Sequence, residues 1–231
     1  MRLFLIRHGQ TPSNVSGALD TGAPGAGLTA LGHAQAAAIP GALAEQRFAA
    51  IHASVLVRTQ LTAAPLARAC GLDVETHEGL REVSAGDLEM RTDKAAVEAY
   101  HHSLRAWVEG DLGRANPGGE TGRDFLDRYD AAIRAIAAAH DPDDPNAAVA
   151  VVSHGAAIRL WVALRTENAG PDLALTTRML NTGLAVIEGH PDDRWTMTRW
   201  HGEPLGGAHL ADESAHDVTG ESEEEAVAEA G

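Results

Sequence analysis

Two histidines in this chain stand in the same local setting. His8 follows the apolar run Leu3 to Ile6 as Arg7-His8-Gly9, and His154 follows AAVAVV (147–152) as Ser153-His154-Gly155. A neutral imidazole carries an unshared electron pair and can attack an electrophile, and its ordinary pKa near 6.5 leaves it neutral at pH 7. Arginine offers a rigid fork of donors that matches phosphate oxygens. Arg7 adjoins His8, and Arg58 sits in HASVLVRTQLTAAPLA, early in a helix. Each of these four side chains, taken alone, reads as structural or as surface. Together they read as a pocket for a phosphoryl group. Cations would bind such a group but could not give its leaving oxygen a proton. GLREVSAGDLEM (79–90) supplies Glu82, Asp87 and Glu89. A carboxyl buried against a bound anion has its pKa raised and can act as a general acid near neutrality. Spacing alone does not choose among the three.

The elements that must hold these groups follow from hydrophobic pattern and turn residues. Leu3 to Ile6 reads as a strand buried on both faces, as in a parallel sheet. FAAIHAS (48–54), DVETH (73–77), AAVAVV, GLAVIEG (183–189) and RWTMTRW (194–200) read as further strands. Helices are predicted from Thr29 to about Leu43, with Pro40 kinking or ending it early, and from Leu56 to Ala69, closed by Gly71. Others are predicted over 93–109, from Thr121 with Asp124 as capping partner, and over AAIRLWVAL (156–164). Strands alternating with helices imply an α/β domain with helices on both faces. Ligands in such sheets sit at the carboxyl ends of the strands. Both strand-His-Gly stretches therefore belong to one edge, and glycine after each histidine lets the backbone turn close to a ligand. The positive end of the helix opening near Gly155 adds to the field.

Composition bounds the rest. The chain has 231 residues and a formal net charge of -15, and eight acidic side chains lie in residues 211–231, which hold no Lys or Arg. That acidic, small-residue segment reads as a disordered, solvating tail covering residues 207–231, dispensable for chemistry. No basic patch suggests nucleic acid. The single cysteine, Cys70, permits no internal disulfide and suits a reducing, cytoplasmic setting. No leader and no membrane-spanning run is expected. The His101-His102 pair reads as a solvated helix face rather than a metal site, and no metal and no cofactor is expected.

A family resemblance rests on six stretches. RHGQTPSN (7–14) resembles the R-H-G-x-T-x-x-N signature of the histidine phosphatase superfamily, the phosphoglycerate mutase-like enzymes. LTALGHAQA (28–36), SVLVRTQLTA (54–63), LREVSAGDLE (80–89), PGGET (117–121) and VVSHG (151–155) resemble further elements of that family, in order. The likeness spans about residues 1–206. It implies a three-layer α/β/α sandwich with a mostly parallel central sheet and a variable cap over about 90–120. It implies that His8 is the nucleophile that becomes phosphohistidine. Arg7, Arg58 and His154 would bind phosphoryl oxygens, with Asn14 and Gly155 lining the pocket. Of the three carboxylates, the resemblance selects Glu82 as proton donor. Val55 stands where the family commonly has a polar residue, and Met90 where it usually has glycine. Positive and aromatic cap residues, including Arg91, Lys94, Tyr100, His101, His102, Arg105 and Arg114, are expected to shape substrate choice. The implied activity is a metal-independent phosphomonoesterase acting on a small phosphorylated molecule, with a homodimer compatible with the sheet edges. A phosphoglycerate mutase using the same residues and a non-catalytic phospholigand binder are the alternatives.

Overall fold

Leu3 and Leu5 enter one core of this protein and Phe4 and Ile6 enter another. That is what a strand buried on both faces must do, since successive side chains alternate. The computed structural model describes residues 1–140 and 148–230. Its six strands are β1 (Arg2–Arg7), β2 (Phe48–Ser54), β3 (Val74–His77), β4 (Ala148–Ser153), β5 (Leu184–Gly189) and β6 (Trp195–His201). They form one sheet in the order β3-β2-β4-β1-β5-β6. The pairings among β3, β2, β4 and β1 are parallel, and β5 and β6 add antiparallel pairings. The sheet is thus mostly parallel, as the alternation of strands and helices suggested. The final two strands are antiparallel because the short turn after Gly189 allows only a hairpin.

The longer helices fall where the pattern placed them. These are α2 (Ala30–Ala42), α3 (Val57–Cys70), α4 (Lys94–Val108), α5 (Gly122–Ala138) and α6 (Gly155–Arg165), with short α1 (Pro12–Ser16), α7 (Pro171–Thr176) and α8 (Glu223–Glu229). Ile39 and Leu43, at the end of α2, and Leu66 of α3 pack with Phe4, Ile6 and Val152 on one face. The other face packs α4, α5 and α6 through Trp107, Phe125, Tyr129 and Trp161. Thr29 caps α2 and Thr121 forms a capping box with Asp124 on α5. Pro40 does not end α2 early, for the helix runs to Ala42. A proline near a C-terminus removes only one intrahelical bond. Met90 has φ +60°, the left-handed region. That conformation favours glycine, which gives a physical meaning to the departure at this position.

The segment expected to be disordered is folded here. Residues 208–210 form a 3-10 turn and α8 closes the chain, with Val218 and Ala226 in the main core. Composition alone misses this because it counts the charges of the segment and not their partners. Arg105 of α4 pairs with Glu223, and Arg178 lies 3.7 Å from both Glu213 and Glu225. Among the described residues, no helix is long and apolar enough to cross a membrane.

Candidate active site

Strand register creates the site. Arg7 of β1 is opposite Ser153 of the parallel neighbour β4, so the next residues, His8 and His154, leave the sheet side by side. Their rings meet edge to face with centroids 5.3 Å apart. The backbone of His8 is fixed from both sides: its N–H donates to the Ser153 carbonyl at 3.0 Å, and its carbonyl accepts from Thr182 N–H at 3.2 Å. On the other side of β4, β2 ends at Ser54, whose hydroxyl is 2.8 Å from Nε2 of His154. Four residues on, Arg58 occupies the first turn of α3. Arg7, His8, Arg58, Glu82 and His154 are all buried, none with more than 3% of its surface exposed.

The histidine tautomers can be worked out from the partners. Nδ1 of His8 is 2.8 Å from the Gly9 carbonyl. A carbonyl only accepts, so Nδ1 carries the proton and Nε2 keeps the free pair. Burial holds the His8 pKa well below 6.5, and the Arg58 and Arg7 charges lower it further. The ring is therefore neutral at pH 7, with its pair at Nε2. Ser54 Oγ accepts the Leu56 N–H and can donate to Nε2 of His154. The His154 proton then lies on Nδ1. Burial and the Arg58 charge likewise hold His154 neutral.

Glu82 arrives from the loop between β3 and α4. Its Oε1 accepts from Val83 N–H and Ala157 N–H at 2.8 Å each, and Oε2 accepts from Ala156 N–H at 3.2 Å. Two of these donors are the free amides of the first turn of α6, where the helix end is positive. Burial nonetheless raises the Glu82 pKa, outweighing the backbone amides, Arg58 and Arg7, which lower it. Glu89 is engaged elsewhere, accepting from the backbone and hydroxyl of Thr21 and from Gly22 N–H. Asp87 packs on Gly118. The geometry thus brings one of the three carboxylates to the pocket.

Other residues hold that loop, and the sequence did not mark them for it. Arg128 of α5 donates to the carbonyls of Gly79, Arg81 and Glu82 at 2.8–2.9 Å. Glu120, from the PGGET stretch, pairs with Arg128 and accepts from Ser84 N–H. The two together form the floor under the Glu82 loop.

Arg7 holds the largest surprise. Both of its terminal nitrogens bind the carboxylate of Asp217, and one also reaches the Thr219 hydroxyl at 3.2 Å. Asn14 donates to the same carboxylate at 2.8 Å, while its own oxygen accepts from Thr11 and Asn181. Asn14 thus stands behind Arg7 as part of its support. Arg159, also fully buried, donates to the carbonyls of Thr219 and Glu221. Undocking residues 217–221 would leave two buried guanidinium groups short of acceptors, at a cost well above that of a neutral hydrogen bond. His101 is buried too and donates from Nε2 to the Val218 carbonyl at 3.1 Å. It anchors the C-terminal segment and is not part of a solvated face, though His102 is exposed. Among the cap residues, Tyr100 is fully buried, Arg91 pairs with Asp93, and Arg105 reaches Glu223.

With Asp217 on its outer edge, Arg7 has Nε left over, close against Gly155. A Cβ there would come within 2.9 Å of it. Arg7 Nε, Arg58 Nε and Nη1, and His154 Nδ1 are buried and have no hydrogen-bond partner among the described residues. Buried donors normally have acceptors. Four of them on the three residues around His8 suit a group with several oxygens, such as a phosphoryl.

Asp217 should therefore be a positioning residue for Arg7. Asp217→Ala is expected to lower kcat/KM by roughly 10²-fold, the scale of a misplaced binding group, and to weaken vanadate inhibition in step. Asp217→Asn, which keeps one bond to Arg7, should retain part of both. An unchanged or increased rate in Asp217→Ala would show that Asp217 competes with substrate instead. The same reasoning reverses the expectation that residues 211–231 are dispensable.

Docking of this segment should depend on pH. The Glu221 carboxyl accepts from Asp217 N–H. Burial, with the nearby Asp217 and Glu229 charges, pushes its pKa up to about 7, against the opposing effects of that N–H and of Arg178. Its backbone carbonyl binds Arg159. A carboxyl that holds its proton more tightly when docked favours docking at low pH. That contribution is lost as pH rises from the ordinary value near 4.5 through about 7. Hydrogen exchange of residues 212–230, corrected for intrinsic rates, should speed up from pH 5 to pH 8. Glu221→Gln should flatten this rise, and an identical slope in the variant would remove Glu221 as its source.

Comparison with known proteins identifies the family. Residues 3–202 match the histidine phosphatase superfamily (branch 1). The PE-PGRS family protein PE_PGRS11 of Mycobacterium tuberculosis is 37% identical over 219 residues, and the chain spans 89% of itself but 37% of that protein's length. The probable phosphoglycerate mutase GpmB of Yersinia enterocolitica is 30% identical over 211 residues, 91% of this chain and 95% of the relative. Among solved structures, a mycobacterial glucosyl-3-phosphoglycerate phosphatase in complex with VO3 superposes with a TM-score of 0.74 at 28% identity, over 87% of this chain and 99% of that one.

Proposed function

We propose, from the premise that the chain belongs to the histidine phosphatase superfamily, that it hydrolyses a small phosphomonoester through a phosphohistidine at His8. The observation that carries this is the set of buried donors of Arg7, Arg58 and His154 that lack a hydrogen bond around a neutral His8, Arg58 Nη1 having only the Asp20 carboxylate at 3.7 Å. In the first step Nε2 of His8 forms a bond to phosphorus as the ester P–O bond breaks. The leaving oxygen takes the proton of the Glu82 carboxyl, whose raised pKa keeps that proton available. In the second step Glu82 accepts a proton from water, water oxygen bonds to phosphorus, and the N–P bond returns its pair to His8. Arg7 Nε, the free edge of Arg58 and His154 Nδ1 would hold the equatorial oxygens, where the charge of the transferring group is spread. Asn14 and Gly155 support this cradle from behind and at the helix start.

The catalytic side chains are buried. Gly25 packs on Arg58 and Gly220 packs on Arg7, so these two segments lie over the cations. The reading extends to a cytoplasmic enzyme, for which the free, exposed Cys70 is suited to a reducing compartment. It extends also to a homodimer, which would meet through the outer edge of β3 or β6 and which light scattering would read directly.

The likeness to a probable phosphoglycerate mutase gives a second reading, transfer between substrate hydroxyls. A panel of phosphomonoesters, with 3-phosphoglycerate assayed with and without 2,3-bisphosphoglycerate, separates the two. Free phosphate from at least one ester is the expected result. Isomer formation without phosphate release would establish the mutase.

A further inference from the structure

One cluster of ionisable side chains lies outside the catalytic machinery, on the edge of the sheet. In the parallel pairing of β2 with β3, His52 is opposite Glu75, and Ser54 is opposite His77. Glu75 and His77 are two residues apart on one strand, so their side chains share a face, and His52 rises beside them from the next strand. Nδ1 of His52 is 3.0 Å from Nε2 of His77 and 3.7 Å from Oε2 of Glu75. The three ligand atoms all lie within 4.8 Å of one another. Among the described residues this is the one group of three or more His, Cys, Asp or Glu side chains so placed.

The geometry points to a divalent transition-metal site formed by His52, Glu75 and His77, taking a borderline ion such as Zn²⁺ or Co²⁺. Ligand atoms 2.0–2.1 Å from a tetrahedral ion stand about 3.3 Å from each other. The observed separations of 3.0 and 3.7 Å bracket that figure, so small side-chain rotations would suffice. Two imidazoles and one carboxylate suit Zn²⁺, Co²⁺, Ni²⁺ or Cu²⁺, whereas Mg²⁺ and Ca²⁺ prefer all-oxygen sets. Access is built in. His52 is buried, His77 is half-buried, and the Glu75 side chain is 69% exposed, so an ion arriving at the edge strand would meet two mobile ligands before the rigid one. Positions left on the ion would hold water.

The alternative is a structural N–H···N hydrogen bond between the two rings. Nε2 of His52 is buried with no partner among the described residues in either arrangement, so it does not decide between them. A hydrogen-bonded pair gives no role to the carboxylate beside it. A shared cation uses both rings and the carboxylate together.

The site would act on architecture rather than on the reaction. It lies two residues before Ser54, whose hydroxyl holds His154, and on the strand that leads through residues 78–80 to the Glu82 loop. An ion there would tie the edge strand to β2 at the point where two supports of the pocket diverge.

Chelator-treated, untagged full chain titrated with Co²⁺ tests this. We expect saturation at one equivalent, with the visible absorption of tetrahedral Co²⁺ bleached by added Zn²⁺. His77→Ala and Glu75→Gln, at a half-buried and an exposed position of the edge strand, should each weaken binding at least roughly tenfold. Turnover of the chelator-treated enzyme and of both variants should remain at the wild-type level. Absence of the band, or binding unchanged in both variants, would show adventitious ions on other histidines and a plain ring–ring hydrogen bond at His52, and the site would be withdrawn.

Discussion

His8→Ala is expected to lower turnover of p-nitrophenyl phosphate by on the order of 10⁴–10⁶-fold, the range seen when a covalent nucleophile is removed. The fold should survive. The ring makes one hydrogen bond, from Nδ1 to the Gly9 carbonyl, and its loss costs about 1 kcal/mol. Arg7, Arg58 and His154 keep their own supports, so vanadate should still bind, more weakly for want of the Nε2 ligand. Acid-labile radiolabel transferred from substrate should appear on the wild type and vanish from the variant. A variant that retains more than a few per cent of the rate would remove His8 as nucleophile. The pH dependence adds a second check. Burial, Arg58 and Arg7 hold the His8 pKa well below 6.5, so the attacking pair stays free as pH falls through the usual histidine range. No loss of kcat/KM centred near pH 6.5 should be traceable to this ring.

How much of this could be read from the chain depends on how local each signal is. β2 was predicted as FAAIHAS and is found at Phe48–Ser54, because a run of apolar residues bounded by turn signals is complete in itself. The juxtaposition of His8 and His154 was also legible: two strands with the same ending, in a parallel sheet, bring their ends together. Choosing Glu82 over Asp87 and Glu89 was not possible by spacing, since all three lie within eight residues of one another. What distinguishes Glu82 is its seat on the first turn of α6, which is 74 residues away in sequence. Asp217 was illegible for a related reason. Its segment has the composition of a solvated tail, and only the buried guanidinium of Arg7, at the far end of the chain, turns one of its carboxylates into structure. His101 repeats the lesson, since its partner is a backbone carbonyl with no sequence signature. Short elements such as α1 and α7 escaped because a helix of five or six residues has too few turns to show a period. Met90 was the reverse case: the missing glycine was visible in the pattern, but its cost could be named only once φ was found to be positive.

Glu82→Gln should cost roughly 10²–10⁴-fold in kcat/KM with an alkyl phosphate, the usual contribution of a general acid. The size should depend on the leaving group. An alkoxide cannot depart readily without a proton, whereas p-nitrophenolate can, so the loss with p-nitrophenyl phosphate should be much smaller. That contrast separates a proton donor from a residue that merely shapes the pocket, which would harm both substrates alike. Glutamine is nearly isosteric and its oxygen can still accept from Val83, Ala156 and Ala157 N–H, so the loop should keep its place. The pH profile supplies the sign. The acid form is the active one for the first step, and burial raises the Glu82 pKa above its ordinary 4.5. The wild-type rate with the alkyl ester should therefore fall as pH rises through that raised value, and the limb should be absent in the glutamine variant. Glu89→Gln is the control. Its carboxylate is bound to Thr21 and Gly22, so replacing it should affect stability more than leaving-group sensitivity. An equal leaving-group dependence in Glu82→Gln and the wild type would mean that the proton comes from elsewhere, and the carboxylate on α6 would then be a structural cap.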